Sequence, residues 1–158
     1  MQKEKEELKN IFMKAMDKAL DIDISDYIEF DDDDENFIDA ECTADIIIDG
    51  HNVAFFLSKI IVNTATFMGG KYKLTLCFGN CNDVAGANTE LNIYDESEIG
   101  NVFYCENAIE ETSDSLLLSA EFDADSEERA TEVLTNILSY LADEEKSKPL
   151  FELLKYFD

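Results

Sequence analysis

Apolar side chains fall at Leu8, Ile11, Phe12, Ala15, Met16 and Ala19, the three-and-four spacing that lines one side of a helix. This predicts an amphipathic helix over residues 3–20. The period then changes. Tyr27, Ile28 and Phe30 predict a short strand, and Ile46, Ile47 and Ile48 predict another, ahead of Asp49-Gly50-His51-Asn52, which reads as a hairpin turn. Residues 53–62 are rich in β-branched and aromatic side chains. Residues 71–78 alternate, with Tyr72, Leu74, Leu76 and Phe78 on one face and Lys71, Lys73, Thr75 and Cys77 on the other. Gly69-Gly70 is expected to turn the chain between these two strands.

Further along, Asn82 or Asp83 reads as the cap of a helix with Val84, Ala87, Leu91 and Tyr94 along one side. Gly86 in its middle weakens it by about 1 kcal/mol relative to Ala. Residues 102–106 and 115–122 predict a strand pair, the second with Leu116, Leu118, Ala120 and Phe122 alternating against Ser115, Ser119 and Glu121. Asp125 followed by Glu128 has the spacing of a capping box, opening a helix whose apolar side carries Ala130, Val133, Leu134, Ile137, Leu138 and Leu141. Pro149 stands where a first-turn proline is tolerated, before Leu150, Leu153, Leu154 and Phe157 of a last short helix. Strands gathered in runs predict an α+β domain spanning 1–158: an antiparallel meander packed by an N-terminal helix, a middle helix and C-terminal helices.

One strand breaks the alternation. Residues 53–62 are apolar on both sides, Phe55, Leu57 and Ile61 against Phe56, Ile60 and Val62. A sheet with helices on one face and water on the other alternates, so the second face here calls for cover by the chain's own segments, a second subunit or a client. Phe55, Leu57 and Ile61 are therefore the apolar candidates for partner binding.

Composition adds a core and a strong field. The chain of 158 residues is 46% hydrophobic and 11% aromatic, enough for one sizeable core. Its 37 acidic and 12 basic side chains leave a net charge of -25, which repels phosphate backbones and anionic lipid and attracts basic proteins or cations. Neither nucleic acid nor a membrane is an expected partner. Five of the twelve basic residues lie in the first predicted helix, whereas none occurs between Lys18 and Lys59, where thirteen acids fall. Asp31, Asp32, Asp33 and Asp34, at the head of the run ending in Glu35, are the acidic candidates for partner binding.

Residues 1–20 hold no apolar run of the kind a secretory signal needs, and no stretch approaches the length of a membrane span. The cytoplasm is the expected compartment, with reduced thiols at Cys42, Cys77, Cys81 and Cys105. Cys77 and Cys81 have a metal-like spacing, but Cys42 and Cys105 form no second close pair. His51 sits in a turn-like context with no nucleophile signature around it. Asp123-Ala124-Asp125-Ser126-Glu127 begins like a calcium loop and then fails, with Glu128 where glycine is needed and Leu134 where the bidentate Glu belongs. The six glycines form no phosphate-binding loop. No catalytic residue, cofactor or metal ligand is assigned.

The segments LNIYDESEIGNVFYCE, SLLLSAEF, ATEVLTNILSYLADE and LFELLKYF together resemble the YbjN family, which has the fold of type III secretion chaperones. The matching positions are Asn92, Tyr94, Phe103, Tyr104, Leu116, Leu118, Val133, Leu134, Leu138 and Phe151, about the last half of the chain. In the first half the order of elements agrees, while residues 31–70 are longer and more acidic than the family's compact three strands. The resemblance implies a small acidic non-enzymatic protein, often dimeric, that binds another polypeptide or takes part in regulation. The expected function is a non-catalytic, acidic protein-binding module, chaperone-like or a regulatory adaptor. The alternative is an immunity-type protein that neutralises a basic toxin such as a nuclease.

Overall fold

Helical periodicity from Leu8 to Ala19 and alternation from Lys71 to Phe78 resolve into a helix and a strand of a sheet. The computed structural model describes residues 2–25, 28–30, 40–48, 50–78, 98–99, 102–105 and 116–153. In these, α1 (Gln2–Leu20) precedes four strands, β1 (Ile28–Phe30), β2 (Ala40–Ile48), β3 (His51–Asn63) and β4 (Met68–Phe78). Three more follow, β5 (Glu98–Ile99), β6 (Phe103–Cys105) and β7 (Leu116–Ala124), then α2 (Glu127–Ala142) and α3 (Lys148–Leu153). The strands form one sheet in the order β1-β2-β3-β4-β7-β6-β5, and every neighbouring pair is antiparallel. The fold class is α+β, as the grouping of strands predicts.

Register carries the alternation across the sheet. Cys42, Leu57, Leu74 and Ala120 are successive neighbours in one row, and Ala44, Phe55, Leu76 and Leu118 in the next; all are buried. Onto this face α1 delivers Leu8, Ile11, Phe12, Ala15 and Met16, and α2 delivers Ala130, Leu134, Leu138 and Leu141. The two helices pack on each other, α1 over β2 and β3 and α2 over β7. Phe103 of β6 meets Tyr140 of α2 edge to face at 5.4 Å, which closes the far side of the core.

Three local expectations are corrected. Gly69-Gly70 does not turn the chain; both lie in β4, paired with Val62 and Ile61. The turn comes earlier, where Thr64 N–H donates to the Phe67 carbonyl at 2.8 Å and Thr64 Oγ1 accepts from Phe67 N–H at 3.0 Å. What demands glycine at 69 is close packing, because a Cβ there would stand 2.5 Å from the Ala124 carbonyl oxygen. In the β2–β3 hairpin, Ile48 pairs directly with His51, so His51 and Asn52 belong to β3. Gly50 has φ 81, the left-handed conformation a two-residue hairpin loop requires. Finally, α2 is capped by Ser126 and not by Asp125, since Arg129 N–H donates to Ser126 Oγ at 3.1 Å. Arg129 therefore holds the position expected of Glu128 and pairs with Glu132 at 2.7 Å.

At the other helix end, Asp21 takes the left-handed conformation with φ 55 and stops α1. Pro149 sits in the first turn of α3, as expected. The helix expected from Asn82 or Asp83, the acidic run at 31–35, Cys81, Leu154 and Phe157 lie outside the described residues.

Candidate functional site

The β3–β4 hairpin outruns the helices that cover the rest of its face. Among the described residues the large exposed hydrophobics are Ile47, Ile60, Ile61 and Met68, and the last three share the end of this hairpin. Ile61 is 49% exposed and Met68 67%. Val62 and Phe67, half-buried, complete an apolar tip. Isolated apolar side chains on a surface are ordinary; here Ile61 and Met68 stand together on the helix-side face of the hairpin end, and Ile60 stands on the opposite face.

Beneath the tip lies a groove of about 480 Å³, bounded by the first turns of α1, the hairpin, and the junction of β7 with α2. It exists because the row crossing the sheet here is Ile61, Gly70 and Ala124, which brings little side-chain bulk from β4 and β7. The next row, Lys59, Tyr72 and Phe122, walls it off from the core. Tyr72 and Phe122 stack with centroids 5.0 Å apart and planes within 7°.

Four carboxylates line the groove, Glu4, Glu7, Asp125 and Glu127, against one described cation, Lys59. The Lys59 side chain is 12% exposed; its Nζ lies 3.8 Å from Glu7 Oε2 and 5.8 Å from the centroid of the Tyr72 ring. Burial pushes the Tyr72 phenol up to about 12, and the charges of Glu7 and Glu127 add to the effect. Glu4 is held below the usual carboxylate range, first by the backbone N–H at the start of α1, with Lys59 a lesser contributor. The groove is thus an apolar strip with a negative wall.

The sequence-predicted site residues are divided by this geometry. Ile61 is part of the exposed tip. Phe55 and Leu57 are each 0% exposed beneath α1, so they are core residues and offer no surface to a partner. Ile61 continues the row of Phe55 and Leu57 beyond the helices that roof them, whereas Phe56, Ile60 and Val62 belong to the opposite face of the sheet. Asp31, Asp32, Asp33 and Asp34 lie outside the described residues. Composition missed Met68, Gly70, Tyr72 and Glu127, which are far apart in the chain and meet only through the β3–β4–β7 register.

Thiol chemistry is constrained in the same way. Cys42 points into the core, where burial raises its pKa well above the ordinary thiol range. Cys77 lies on the opposite face, in the parity of Thr75, whose hydroxyl bonds Ser119 at 3.1 Å. The sheet separates the two thiols, so they cannot ligate one ion. No group of three or more His, Cys, Asp or Glu with metal-binding geometry occurs among the described residues. No described helix is long and apolar enough to cross a membrane. Comparison with protein-family models, curated proteins and solved structures finds no match.

Proposed function

We propose that this chain is a non-catalytic, chaperone-like or adaptor module that binds another polypeptide through the end of its β3–β4 hairpin. The observation that carries this is the exposure of Ile61 and Met68 at the end of the helix-side face, in a chain of net charge -25. The reading also draws on the resemblance to YbjN-type, secretion-chaperone-like proteins, which implies a leading helix, a strand meander, further strands and a closing helix pair, the order the elements take here.

The test is affinity capture from the source cells with wild type and an Ile61→Ser/Met68→Ser variant, followed by light scattering of the recovered complex. The expected result is a client retained by wild type and lost by the variant. Equal retention by both would remove the hairpin from the interface. A second reading, an immunity-type protein that neutralises a basic toxin, is favoured by the carboxylates of the groove wall. It predicts a one-to-one complex whose association slows steeply as salt rises, whereas a client held mainly by the apolar tip is salt-resistant.

A further inference from the structure

We infer that the groove beneath the hairpin takes an extended polypeptide segment that alternates Lys or Arg with aliphatic side chains. This rests on the protein-binding function proposed above and names the chemistry of its partner. Two features of different kind coincide at the groove. Ile61 and Met68 give it an apolar side, and Glu4, Glu7, Asp125 and Glu127 give it an anionic one. A segment in β conformation presents alternate side chains to opposite sides, which is the division the groove offers.

Lys59 displays the cationic half of this chemistry within the chain itself. Its aliphatic stem covers Gly70, with Cε 2.8 Å from where a Cβ of residue 70 would lie, and its ammonium rests between Glu7 and the face of Tyr72. Glu4 has partners of its own and Lys59 serves Glu7, while Asp125 and Glu127 keep the wall anionic, so a further cation is attracted to the same space. A second copy of the chain is disfavoured as occupant, because two bodies of charge -25 repel one another on approach.

The test uses the full chain and fluorescence anisotropy with a labelled nine-residue peptide alternating Lys and Leu. One control peptide replaces each Lys by Glu and another replaces each Leu by Ser. The Lys/Leu peptide is expected to bind about tenfold more tightly than either control. Asp125→Asn/Glu127→Gln and Ile61→Ser/Met68→Ser are each expected to weaken it about tenfold, with only the first variant losing most of the salt dependence. Circular dichroism of both variants is the check that they fold; Ile61, Met68 and Asp125 are exposed, which favours this.

Equal binding of the Glu peptide, or unchanged binding by both variants, would overturn the assignment. So would a dimer that Ile61→Ser/Met68→Ser dissociates in the absence of any peptide binding, since the tip would then be a contact between copies. If no peptide binds but wild type retains a cellular client that this variant loses, the inference about the groove fails while the protein-binding function stands.

Discussion

Gly69 is the residue whose requirement is easiest to state and hardest to see in the sequence. A Cβ there meets the Ala124 carbonyl oxygen and, at 2.8 Å, the Asp125 Cα, both backbone atoms that no rotamer change can move. Gly69→Ala is therefore expected to destabilise the fold by about 1–3 kcal/mol in urea unfolding, as overpacking does elsewhere. Tyr72 carries a pH dependence. Its phenol titrates higher in the folded chain than the ordinary tyrosine value of about 10, so its contribution to stability is intact below that pH. Between pH 10 and about 12 the unfolded chain loses the proton first and stability falls. Comparing wild type with Tyr72→Phe at pH 8 and pH 11 isolates this group, and the variant is expected to lose less stability on alkalinisation. Neither effect is legible in the sequence, where Gly69-Gly70 has the form of a turn and Tyr72 that of one more alternating apolar residue.

Elements were more legible than residues, and the reason is periodicity. The apolar positions of α1 and α2 fall on the sides that become buried, and β4 alternates as its sequence does. The start of α2 moved by one residue because caps compete, whereas β4 begins three residues and β2 six residues earlier than the apolar pattern predicts. Asp125 and Ser126 both have side chains able to accept from a first-turn N–H, and the extended backbone of Ser126, φ -152 and ψ 160, decides which does. Ser126→Ala is expected to lower stability by about 1 kcal/mol, with Asp125→Ala within about 0.5 kcal/mol of wild type, by thermal or urea unfolding. The first helix is structural before it is anything else. Phe12 is 0% exposed at its centre, and Phe12→Ala is expected to destabilise by about 3–5 kcal/mol. Deleting α1 strips the roof from β2 and β3, so loss of partner binding after that deletion would report unfolding and not a binding role for the helix.

For the molecule as a whole, charge works against compaction. A net charge of -25 on 158 residues repels itself, and ion pairs such as Lys59 with Glu7 and Arg129 with Glu132 offset only part of it. Raising NaCl from about 10 mM to about 150 mM shortens the screening length from about 30 Å to about 8 Å. Stability of the free chain is expected to rise over that interval in thermal unfolding, while affinity for a cationic segment in the groove falls. Opposite signs in one titration separate self-repulsion from partner attraction; a free chain that loses stability as salt rises would show that specific ion pairs outweigh the repulsion.

The chain's own order of residues determined the α+β class, the faces that α1, α2 and β4 bury, and the strongly negative field of a net charge of -25. These depend on local period and on totals, which a sequence displays directly. Only the tertiary structure decided that Phe55 and Leu57 are core while Ile61 is surface, although all three share one side of one strand. It also decided that Gly70, Ala124, Tyr72 and the carboxylates of two helix starts surround a common groove. The physical reason is that helix coverage ends partway along β3. Where a roof stops is set by how two helices and a sheet pack across long sequence separations, and no spacing within a single segment encodes it.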